Sequence, residues 1–129
     1  MSKLISVETN YGHRILVADI KHGAIENIIK MAEACDKIDY IYLFGSSLEN
    51  RCTEESDIDL AIVSSVTRSR LFRLKSYDTF VCGLYKYDKE QEYDILQFNS
   101  VDKILNSTEF VCSDIAEKGK LIYIRKELQ

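Results

Sequence analysis

The sequence predicts an α/β (α+β) fold, one mixed β-sheet with helices packed on it. Three observations carry that prediction. Tyr40-Ile41-Tyr42-Leu43-Phe44 is aromatic and β-branched, as a buried strand requires. Asp57–Val63 and Glu92–Phe98 repeat that strand character further along. Between and around these strands the apolar spacing switches to a helical period.

The elements follow in order. Leu4–Val7 and Arg14–Val17 are short and apolar-rich, with Asn10-Tyr11-Gly12 between them as a turn. A hairpin or a helix beginning near His13 both fit. From Asp19 to Lys37, residues Ile25, Ile28, Ile29, Ala32 and Cys35 form one helical stripe. The Tyr40–Phe44 strand stops at Gly45-Ser46. After the second strand, Thr67–Lys89 is expected as a helix with Leu71, Leu74, Tyr77, Val81 and Leu84 on one side. After the third come a short helix at Val101–Asn106 and another at Ser107–Lys118. For the latter, Asn106 and Glu109 have capping-box spacing and Gly119 stands as a C-terminal stop. Leu121–Ile124 is a last short strand. No composition break divides the 129 residues, so residues 1–129 are expected to form a single domain.

Composition narrows the function. Lys and Arg number 17 against 21 Asp and Glu, a net charge of −4. A broad nucleic-acid surface needs a basic face, and anionic membranes also favour basic proteins. No apolar run reaches the ~20 residues of a membrane span, and no secretory leader is visible at the start. Cys35, Cys52, Cys82 and Cys112 form no C-x-x-C pair, and His13 and His22 lie far from them, so no zinc site is expected. Four reduced thiols fit a cytoplasmic protein.

Acids concentrate in two stretches. Five of the 21 fall between Glu49 and Asp59, and four between Asp88 and Asp94. Asp57 and Asp59 are two apart, so on a strand both project from one face while Ile58, Leu60 and Ile62 take the other. Adjacent carboxylates at the start of a hydrophobic strand repel each other unless a cation lies between them. Mg²⁺ suits the pair, as a hard ion taking one or two carboxylates plus substrate phosphates. Such a pair also serves simply to end a strand in water. Asp94, within Glu92–Phe98, is a third carboxylate on a predicted strand. Three carboxylates can hold two metal ions about 4 Å apart. Gly45 lets another group approach the backbone, and Ser46 offers a hydroxyl and an amide to a phosphate.

Gly45-Ser46, nine residues, then Ser56-Asp57-Ile58-Asp59-Leu60, then Asp94 on a later strand, resembles the DNA polymerase β-type nucleotidyltransferase superfamily. The short chain is similar to its minimal nucleotidyltransferase (MNT) members, which pair with HEPN-domain proteins, in some cases as antitoxin and toxin. The resemblance spans about residues 38–98, and 107–123 also look family-like. It implies a polymerase β-like fold and transfer of a nucleoside monophosphate, most simply AMP from ATP, onto a hydroxyl. It further implies that Gly45 and Ser46, with Ser56 and Arg51 beside them, bind the nucleotide. Asp57, Asp59 and Asp94 would be the Mg²⁺ ligands, with Asp94 also the general base. Members often carry a basic residue and then Gly where this chain has Glu49-Asn50. Asn50 tolerates the left-handed conformation, and Arg51 is placed to take over the lost charge.

The remaining features read as ordinary surface or core. They are the basic run Arg68, Arg70, Arg73 and Lys75, the tyrosines Tyr85, Tyr87 and Tyr93, and Cys52 in the loop.

Overall fold

The computed structural model describes residues 2–129. Strands β1 (Leu4–Glu8) and β2 (Arg14–Ala18) form an antiparallel hairpin, which decides the open alternative at the start of the chain. The hairpin forms because Gly12 adopts a positive φ of 85° and the turn closes with Thr9 N–H donating to the His13 carbonyl. Helix α1 (His22–Ala32) follows, then β3 (Tyr40–Phe44), β4 (Ile58–Val63), α2 (Arg68–Arg73), α3 (Lys75–Tyr87), β5 (Tyr93–Phe98), α4 (Val101–Leu105), α5 (Phe110–Lys118) and β6 (Lys120–Ile124).

The main sheet has the order β5-β4-β3-β6, with β4 and β5 parallel and the other pairs antiparallel, so it is mixed as expected. Its two faces are covered differently. Ile41, Leu43, Ile58, Leu60, Ile62 and Ile122 are fully buried in one cluster with Ile25 and Ile28 of α1 and Phe80 and Leu84 of α3. On the other face Phe44, Ala61 and Val63 pack with Ile104 of α4 and Ile115 of α5. The hairpin guards the β6 edge. Asn10 donates to the Ile124 carbonyl and accepts its amide, and the Tyr11 hydroxyl donates to the Leu121 carbonyl.

Four local expectations are corrected. The first predicted helix ends at Ala32 and not at Lys37, although Cys35 is buried as its stripe required. The 67–89 segment is two helices, because Leu74 takes an extended ψ of 133° and breaks the ladder. Thr67 caps the first of them by accepting the Arg70 amide. The Asn106/Glu109 capping box does not form; Glu109 is itself the cap residue of α5, and the Ser107 hydroxyl accepts its amide. Gly119 does end α5, yet its φ is −64°, so it is not a left-handed stop. It is required by contact, since a Cβ would meet the Ile115 carbonyl oxygen.

Candidate active site

The pairing of β4 with β5 brings the acids together. The two strands run parallel with Asp59 directly opposite Asp94. Neighbouring strands lie about 4.8 Å apart, so two side chains in register project side by side from one face. Asp57 enters β4 two residues before Asp59 and adds a third carboxylate to that end of the sheet. A fourth comes from above, as α5 lays Asp114 near Asp59. Burial, then the negative charges of Asp94, Asp57 and Asp114, push the Asp59 carboxyl up to about 6. Asp57 and Asp94 are exposed and Asp59 is partly buried, so the cluster lies at the mouth of the open face.

Gly45 completes the floor. Phe44 pairs with Asp59 across the β3–β4 ladder, so the residue after it turns against the Asp59 carboxylate. Gly45 has a φ of +77°, and a Cβ there would collide with Asp59 Oδ2. Glycine is therefore required twice, by backbone conformation and by space. The turn continues through Ser46, whose carbonyl accepts the Glu49 amide. Ser47 is fully buried, and its hydroxyl finds no partner among the described residues.

Ser56 holds the approach to Asp57. Its hydroxyl accepts the Thr53 amide, and its carbonyl accepts from Gln91. Arg51 is turned elsewhere: exposed, it forms an ion pair with Glu49, and this pairing holds the Glu49 carboxyl below its usual range. Nor is Asn50 left-handed; no non-glycine residue among those described has a positive φ, so Gly45 alone supplies the reversal. Lys118 pairs with Asp114 at 3.8 Å, and its charge also reaches Glu49, placing a basic side chain at this end of α5.

The weaker candidates stay apart. The basic run, on α2 and the first residue of α3, follows the far end of β4 from Asp59. Tyr93 alternates to the face opposite Asp94, where it packs edge-on against Tyr85 with ring centroids 5.5 Å apart. Cys52 is buried beneath the loop. Sequence reading missed Asp114 and Lys118, which the packing of α5 places here from positions well beyond Asp94 in the chain.

Among the described residues no three His, Cys, Asp or Glu side chains form a ready-made metal cage. Mg²⁺ does not demand one, because it keeps waters and takes one or two carboxylates together with phosphate oxygens. The crowding at Asp59 is the fit: an all-oxygen donor set whose mutual repulsion a hard cation relieves.

Comparison with known proteins agrees with this fold. Residues 26–128 match the family described as Polymerase beta, Nucleotidyltransferase. No curated protein matches the sequence. A crystal structure of a mutant of the toxin–antitoxin MntA-HpeT has a similar fold. Its TM-score is 0.53 at 18% identity over 80% of this chain and 75% of that one. With its mixed sheet, its paired carboxylates and a family match over most of its length, this chain belongs to the polymerase β-type nucleotidyltransferase family.

Proposed function

We propose that the protein is a Mg²⁺-dependent nucleotidyltransferase that moves AMP from ATP onto a hydroxyl of a partner protein or of a small molecule. The partner that best suits it is a HEPN-domain toxin, with this chain as antitoxin. The observation that carries the proposal is the register of Asp59 against Asp94, with Asp57 at the entry of the same strand and Gly45 cleared of a side chain beneath them. The MntA-HpeT likeness supports the antitoxin setting.

Asp57, Asp59 and Asp94 would hold Mg²⁺. When bound, the ion supplies a lowered pKa for the attacking hydroxyl and neutralisation of the phosphates. The chain does the rest by position. Asp94, exposed on the neighbouring strand, takes the proton of the acceptor hydroxyl. The hydroxyl oxygen forms a bond to the α-phosphorus, the bond to the bridging oxygen breaks, and pyrophosphate leaves. The Gly45-Ser46 turn admits the triphosphate because no Cβ fills it. Asp59, crowded and partly buried, gains most from a bound cation, so nucleotide and metal are expected to bind together.

The test is intact mass after incubation with ATP, Mg²⁺ and a HEPN-domain protein encoded beside it. An AMP-sized increment on the partner, absent with Asp57→Asn and Asp59→Asn, supports the proposal. A second reading is a binding module that neutralises its partner by contact. The Glu49–Arg51 pair favours it, since it ties up the nearest arginine. Neutralisation that survives both substitutions, with no increment, selects that reading.

A further inference from the structure

Lys21 is out of place by composition rules. It is 2% exposed, in the short turn between β2 and α1, and lysine is almost never this buried without a partner. Among the described residues no carboxylate pairs with it. Its ammonium instead donates to Gln91 Oε1 at 2.6 Å and to the Glu54 carbonyl at 3.1 Å. Glu54, Asp88 and Glu90 line the same cleft and supply negative charge at longer range.

Gln91 is also buried, at 6% exposure, and it passes the contact on. Its Nε2 donates to the Ser56 carbonyl at 3.1 Å and to the Glu92 carbonyl at 2.7 Å. The first carbonyl belongs to the peptide that leads into Asp57. The second accepts the Ile58 amide as well, at 3.0 Å, and stands two residues before Asp94. One amide group thus spans the entries of β4 and β5, where their carboxylates must meet. Because Lys21 occupies Oε1, the side chain cannot flip without facing an amide with an ammonium.

We propose that Lys21 and Gln91 are positioning residues that set the spacing of Asp57 and Asp59 on β4 from Asp94 on β5. The inference rests on the metal-binding role given to those carboxylates above. Neither residue touches nucleotide or metal.

Gln91→Glu separates the roles. Glutamate keeps an acceptor for Lys21, and as an ion pair it holds Lys21 at least as firmly, but it takes away the donor to both carbonyls. It also adds a negative charge close to the acids, which by Coulomb's law alone would tighten a cation. The experiment is Mn²⁺ titration, with and without ATP, and amide hydrogen exchange on the metal-free full chain. In Gln91→Glu the Ile58 amide is expected to exchange roughly tenfold faster while Ile41 and Leu43 in β3 stay as protected as in wild type. Mn²⁺ affinity is expected to fall about 10–100-fold despite the added charge, the usual effect of losing support behind the ligands. Lys21→Met, which keeps an apolar stem, serves as a second variant if Gln91→Glu does not fold, with the same changes expected at smaller size. Wild-type exchange at Ile58 together with unchanged or tighter Mn²⁺ binding overturns the inference. Should wild type bind no Mn²⁺ even with ATP, the metal reading fails, and exchange at Ile58 alone decides whether the two residues set the strand spacing.

Discussion

The two faces of strand β4 carry opposite chemistries. On one, Ile58, Leu60 and Ile62 are fully buried among residues of α1 and α3. On the other, Asp57 is exposed and Asp59 partly buried at one end, and Ala61 and Val63 disappear beneath the second cluster further along. A single strand alternates between a closed core and an open acidic mouth. The difference teaches where the strand's order comes from. Each fully buried aliphatic side chain contributes roughly 1.5–3 kcal/mol. The closed face therefore holds β4 in register even though the open face is electrostatically unfavourable, and the carboxylates are presented by a strand that cannot retreat.

The largest effect is expected from a substitution on the closed face. Leu60→Ala is expected to cost about 2–5 kcal/mol, read by chemical denaturation, because the site is fully buried and cannot collapse without a cavity. Gly45→Ala acts at the boundary between the faces. Its new Cβ meets Asp59 in a backbone conformation that alanine resists, so a loss of about 1–3 kcal/mol is expected, together with loss of thermal stabilisation by Mg²⁺ and ATP.

The open face should respond with the reverse sign. Asp59→Asn removes one charge from the crowd around Asp94, Asp57 and Asp114. In metal-free buffer it is expected to raise the Tm by roughly 3–5 °C, the shift that about 1 kcal/mol gives in a domain of this size. Mg²⁺ with ATP should then close the gap, because only wild type gains from them. The smallest effect belongs to Arg51→Ala. Arg51 is fully exposed and, among the described residues, pairs only with Glu49, so its loss should leave the Tm unchanged. A rise in the Michaelis constant for ATP in that variant would reveal that Arg51 leaves Glu49 to meet the phosphates.

Much of the open face was legible in the sequence because strand alternation is a local rule. The two-residue spacing of Asp57 and Asp59 and the alternating run of Ile58, Leu60 and Ile62 fix which side chains share a face. Gly45 was legible for the same reason, being the break after an aromatic strand. What the sequence did not carry was tertiary. Nothing in the residues around Asp114 marks it as a neighbour of Asp59; only the packing of Ile115 against Phe44 and Ala61 places α5 there. The register that sets Asp59 opposite Asp94 depends on parallel pairing of strands some thirty residues apart. Nothing in the sequence marks Lys21, because its partners, the Glu54 carbonyl and Gln91, are 33 and 70 residues away. The break at Leu74 was hidden as well, since a helical apolar period runs across it without interruption.

On the proposed function, the acids of the open face hold a metal–nucleotide complex. Calorimetric titration of ATP into the protein, with and without Mg²⁺, tests it most directly. The expected result is saturable binding that requires Mg²⁺ and disappears in Asp59→Asn while that variant remains folded. ATP binding that is independent of Mg²⁺, or that persists unchanged in Asp59→Asn, would contradict it.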